Sequence, residues 1–92
     1  MRCVISTEGF GDMVFRLFPE LAPITVNNFA DTARSGFYDG LAWCRVVKDY
    51  VIQAGSPDND IMTDSDWHFK GEFEANGVPN PLKHVRGAIS MA

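Results

Sequence analysis

Ninety-two residues carry 12 acidic and 8 basic side chains, a net charge of −4, with 46% hydrophobic and 22% charged content. That length allows one domain, and the balance is that of an ordinary water-soluble globular chain. The negative charge speaks against nucleic acid or an anionic membrane as partner, and no apolar run is long enough to span a bilayer.

The N-terminus, MRCVISTEGFGD, lacks the apolar region and cleavage site of a secretory signal, so the expected compartment is the cytoplasm. Residues 2–6, RCVIS, read as a strand. TEGFGD is turn material with two glycines, and residues 13–18, MVFRLF, resume the strand pattern. Together they predict a hairpin. A helix follows from Pro23 to Ser35. Proline suits its first turn, where a missing N–H costs nothing. Val26, Phe29, Ala30 and Ala33 repeat at the spacing of one apolar face. Gly36 stands where a C-terminal cap belongs.

Two further strands are expected at residues 42–47 and 51–54. Residues 55–85 show little periodicity, and a connection that long usually wraps a surface or carries function. Its aromatics Trp67, Phe69 and Phe73 suggest that it packs down. GAISMA, residues 87–92, starts like another strand. The fold class is therefore mainly β with one helix.

Arg45 is the outstanding residue of the run WCRVVKDYVIQAG, residues 43–55. Charged side chains are rarely fully buried unless paired. If Lys48, Asp49 and Tyr50 form a three-residue loop, Val47 opposes Val51 and Arg45 opposes Gln53, on one face of a sheet. Gln53 could then hold the guanidinium as a preorganised donor over an apolar surface. A two-residue loop would oppose Arg45 to Ile52 instead. A solvated surface arginine fits the pattern equally well.

Other chemistry is weaker. Cys3 and Cys44 form neither a CxxC pair nor a zinc spacing. Arg45 beside Cys44 could lower a thiol pKa, but a small apolar residue on a strand is the better reading of that cysteine. Asp58, Asp60 and Asp64 cluster in DNDIMTD. A calcium loop needs glycine at its sixth position and glutamate at its twelfth; Thr63 and Phe69 stand there. A solvated acidic loop is expected instead. His68 and His84 are too isolated to form a metal set with Cys44, and the TEGFG glycines lack the phosphate-loop spacing. No cofactor and no metal are expected.

Several runs together resemble the N-terminal portion of the cyclophilin-type peptidyl-prolyl cis-trans isomerases. FYDGLAWCRVVKDYVIQAG is similar to the family pattern F-Y-D/N-G-x-x-F-H-R-V-I-x-x-F-M-I-Q-G-G. LAPITVNNFADTARSGFYDG resembles its first helix and the turn beyond. DWHFKGEF and NPLKHVRGAISMA resemble its long loop and the strand ending in L-S-M-A. The resemblance implies a cyclophilin-like antiparallel β-barrel, of which residues 1–92 form a single domain lacking its C-terminal part.

By the same resemblance, Arg45 falls on the catalytic arginine and Gln53 on the glutamine that orients it. Tyr50 replaces a phenylalanine and Val51 a methionine of the proline pocket. Val47 lies near that pocket, and Ala92 borders the peptide groove. Cys44 departs from a usual histidine, and Ala54-Gly55 from a double glycine. The implied activity is isomerisation of X–Pro bonds in peptides and unfolded proteins, with cyclosporin-like molecules as further ligands. The family's backbone-binding asparagine and the residues completing its proline pocket have no counterpart here. Two other readings therefore stand beside the enzyme: a proline-peptide binding module, and a fragment that self-associates through an open sheet edge.

Overall fold

The computed structural model describes residues 1–60, 62 and 69–92. Asp64, Trp67 and His68 of the expectations above lie outside the described residues. The chain divides into two compact units, Met1–Phe29 with Lys70–Ala92, and Ala30–Phe69. Among the described residues, four strands and one α-helix make it mainly β, with two small antiparallel sheets of two strands each. No helix among the described residues is long and apolar enough to cross a membrane.

In the first unit, β1 (Arg2–Thr7) pairs with β2 (Gly11–Arg16). Residues alternate between the two sheet faces. Cys3, Ile5, Met13 and Phe15 form the half-buried face, as cross-strand pairs Cys3↔Phe15 and Ile5↔Met13. Arg2↔Arg16 and Val4↔Val14 face solvent. Burial pushes the Cys3 thiol up. The loop is three residues long: the Phe10 N–H donates to the Thr7 carbonyl at 3.0 Å, and Gly9 takes φ 80°. This turn draws Gly11 and Asp12 into the ladder, so β2 starts two residues before the apolar pattern suggests.

The helix α1 runs from Pro23 to Arg34. Val26 is 7% and Ala30 9% exposed, the two buried hydrophobic positions among the described residues. Phe29 is half-buried, whereas Ala33, at the fraying end of the expected stripe, is exposed. The helix ends in a Schellman arrangement. Gly36 (φ 84°) donates its N–H to the Ala33 carbonyl, and Phe37 donates to Thr32. An L-residue pays about 1–2 kcal/mol in this left-handed region. Gly36→Ala is therefore expected to lower stability by about that amount, measured as a shift in the urea midpoint followed by helix circular dichroism. A Cβ there meets only Asp39 Oδ2 at 3.7 Å, so the loss is conformational and not steric.

The other end of α1 is closed from a distance. Ala22 precedes Pro23 and offers no side-chain acceptor to the orphan N–H groups of the first turn. Glu72, 47 residues beyond Thr25, accepts the Thr25 N–H on Oε1. Partial desolvation raises the Glu72 carboxyl. Hydrogen bonds from the Thr25 backbone and hydroxyl and from the Ile24 backbone outweigh it, and the pKa lies below its ordinary 4.5. A carboxylate held low in the folded state contributes stability above the unfolded pKa and loses it as pH falls through the folded value. Glu72→Gln is accordingly expected to be less stable than the wild type at pH 7. The gap should close as pH falls below about 4.5, in thermal melts recorded at both pH values.

The stretch containing Glu72 is irregular apart from one 3₁₀ turn, Glu74–Asn76. Asn76 and Asn80 donate from Nδ2 to the carbonyls of Gly71 and Glu72, at 2.8 and 2.9 Å. Of its aromatics, Phe69 is half-buried, but Phe73 is half exposed, with its ring folded over Gly71. Residues 87–92 do not form the expected strand. Gly87 takes φ 87° in a turn closed by Ala88 N–H to the Val85 carbonyl, and no described strand lies beside GAISMA to pair with it. A strand exists only through its ladder.

Candidate functional site

The second unit carries β3 (Arg45–Val47) and β4 (Val51–Gln53), paired as Arg45↔Gln53, Val46↔Ile52 and Val47↔Val51. Lys48, Asp49 and Tyr50 form the three-residue loop. It repeats the turn of the first hairpin: the Tyr50 N–H donates to the Val47 carbonyl at 3.1 Å, and Asp49 occupies the left-handed region at φ 61°. Aspartate tolerates that region better than most L-residues. The loop length sets the register, and the register puts Arg45, Val47, Val51 and Gln53 on one face.

Arg45 Nη1 donates to Gln53 Oε1 at 3.2 Å across the strands. The guanidinium carbon lies 5.7 Å from the centroid of the Tyr50 ring. Arg45, Val51 and Gln53 are half-buried, while Val47 and Tyr50 are exposed. Among the described residues this is a cation held by a neutral acceptor, with no carboxylate in an ion pair with it, beside two valines. The alternative register, with Arg45 opposite Ile52, is not adopted. Ala92 belongs to the first unit and is exposed. Among the described residues, no cluster of His, Cys, Asp or Glu has the arrangement of a metal site.

Several supports of this hairpin carry no local sequence signal. Cys44 Sγ donates to the Gln53 carbonyl at 3.6 Å, so the thiol is engaged with the strand that holds Gln53. Gly55 takes φ 111°, and a Cβ there would touch the Tyr38 ring at 3.5 Å. Tyr38 in turn meets Phe37 edge-on at 5.3 Å. Burial pushes the Tyr38 phenol up, only partly offset by a hydrogen bond with the Thr32 side chain. Asn59 Oδ1 accepts the Ala42 N–H at 2.8 Å. That bond diverts a donor from the sheet, and β3 begins at Arg45 and not at residue 42.

The acidic loop is turned on itself. Asp58 Oδ1 accepts from the Ser56 hydroxyl and the Asp60 N–H, and Asp60 Oδ1 accepts the Met62 N–H. These are local turns of the kind short acidic side chains make. His84 is exposed.

The family described as "Cyclophilin type peptidyl-prolyl cis-trans isomerase/CLD" matches residues 2–92, and the chain belongs to that family. A protein of Staphylococcus aureus (strain USA300) named "Putative peptidyl-prolyl cis-trans isomerase" is 41% identical over 92 residues, covering 97% of this chain and 44% of the relative. A protein of the same name from Staphylococcus haemolyticus (strain JCSC1435) is 40% identical over 85 residues, covering 89% of this chain and 40% of its own length. The chain thus spans less than half the length of these curated relatives. No solved structure matches it.

Proposed function

We propose that this chain is the N-terminal part of a peptidyl-prolyl cis-trans isomerase acting on X–Pro bonds in peptides and unfolded proteins, with Arg45 as its catalytic donor. The observation that carries this reading is the Arg45 guanidinium held on Gln53 across β3 and β4. Rotation about an X–Pro bond makes and breaks no covalent bond, so it calls for no nucleophile, metal or cofactor. It does face a barrier of about 18–20 kcal/mol, because the C–N bond has partial double-bond character. In the twisted transition state that resonance is lost, and a lone pair localises on the proline nitrogen. A donor aimed at that nitrogen bonds the transition state better than the planar ground state, which is the condition for catalysis.

Val47, Val51 and Tyr50 supply the apolar side that grips a proline ring, and the peptide-groove role of Ala92 rests on the family resemblance alone. A cyclosporin-like cyclic peptide would compete for the same face. A cyclophilin-like barrel is the domain that the family match implies for this chain. The proposed compartment is the cytoplasm, a reading that two free cysteines support. The test is exchange spectroscopy on an Ala-Pro peptide. Substoichiometric chain is expected to bring cis–trans interconversion from tens of seconds into the range of exchange cross-peaks. A peptide that binds without faster exchange would assign a binding module instead.

A second reading has its own observation. Val46 is 68% and Ile52 49% exposed, as a cross-strand pair on the face opposite Arg45. Such faces, with the free edges of two-stranded sheets, suit a second copy of the chain. Mass measured by light scattering should then rise with concentration.

A further inference from the structure

We propose that Tyr50 is a positioning residue for Arg45, holding the guanidinium through its ring face; this rests on the catalytic reading of Arg45 above. Among the described residues the guanidinium's hydrogen bond is the one from Nη1 to Gln53 Oε1, about which a planar group keeps freedom to swing. The Tyr50 ring, with its centroid 5.7 Å from Arg45 Cζ, lies within the roughly 6 Å over which the negative ring face attracts a cation. Two contacts of different direction, an in-plane acceptor and a ring face, define the orientation of a planar group where one does not.

The loop gives the ring this place. In the first hairpin the same three-residue turn presents Phe10 at the position of Tyr50, and the residue at the position of Arg45 is Ile5. Phe10 is 90% exposed. Tyr50 is 72% exposed, too open for burial to be its main role. Its backbone is fixed by the bond to Val47 and by the left-handed Asp49, so the ring is carried to the Arg45 side without depending on a packed core.

A residue that merely lined the ligand would be replaced adequately by another apolar side chain. A positioning ring would not. In the free chain, the Arg45 Nε–Hε resonance is expected to be displaced by the ring current. Tyr50→Phe should retain that displacement, and Tyr50→Leu should abolish it. In X–Pro exchange, Tyr50→Leu should lower kcat about two- to five-fold, the range an exposed cation–π contact supports. Any rise in KM from the weakened grip on the proline ring should be smaller than the fall in kcat, and Tyr50→Phe should restore kcat. An Arg45 resonance indifferent to Tyr50→Leu, or a raised KM at unchanged kcat, would overturn the proposal. The resonance is read without catalysis, so a wild type that fails to accelerate exchange would sink the isomerase reading and leave the Tyr50–Arg45 contact to be decided on its own.

Discussion

Arg45→Ala is expected to lower kcat for X–Pro exchange by about 10²–10³, the usual loss when one preorganised donor to a transition state is removed. Peptide affinity should change far less. The planar amide of the bound peptide offers no localised lone pair, so the donor's strongest bond forms only during rotation. An acceleration of about 10⁵ would require roughly 7 kcal/mol in total. A loss of 10²–10³ corresponds to roughly 2.7–4 kcal/mol, so it assigns Arg45 about half of the total and leaves the remainder to the apolar grip. Arg45→Lys should recover only a small part of the activity. Its ammonium keeps the charge, but it lacks the fork that meets Gln53 Oε1 with one arm and the substrate with another. The check is kcat and KM for the three proteins, with peptide affinity measured separately by calorimetry.

Gln53→Leu is the second large effect, about tenfold in kcat with KM nearly unchanged. Hydrogen bonds to a charged group are worth about 1.5–3 kcal/mol, and the partner here is half-buried, so a value at the low end applies. Leucine preserves bulk and strand position and removes the Oε1 acceptor alone. Gln53→Glu is the informative control. A carboxylate would still hold the guanidinium in place, but it would compete with the proline nitrogen for the guanidinium's hydrogens and charge. Orientation would be kept and kcat would fall nonetheless. Equal kcat in Gln53→Leu and the wild type would mean that Arg45 orients without this brace.

The chain shows which parts of such a site local sequence can specify. The helix was legible because its signals are local: proline in the first turn, an apolar repeat, and glycine where φ must reach 84°. The register of β3 and β4 was legible only as a conditional. Arg45 meets Gln53 if the loop has three residues, and the closing bond from Tyr50 to Val47 supplies that length. The pattern could not say where β3 starts, because Asn59, 17 residues away, takes the Ala42 N–H. It could not provide a strand at GAISMA either, since strands need a partner to pair with. The Glu72 cap lay furthest from view. Its only local hint was the lack of a capping side chain at Ala22, and the acceptor that fills the need stands 47 residues from Thr25. The described strands form two sheets of two strands each and no closed barrel.

The most direct test of the account compares wild type and Arg45→Ala in one exchange experiment on an Ala-Pro peptide, at concentrations giving equal peptide occupancy. The account predicts exchange cross-peaks with the wild type and their near disappearance with the mutant at the same fraction bound. Equal exchange from both would contradict it, because catalysis would then come from the apolar face without the guanidinium that Gln53 and Tyr50 hold.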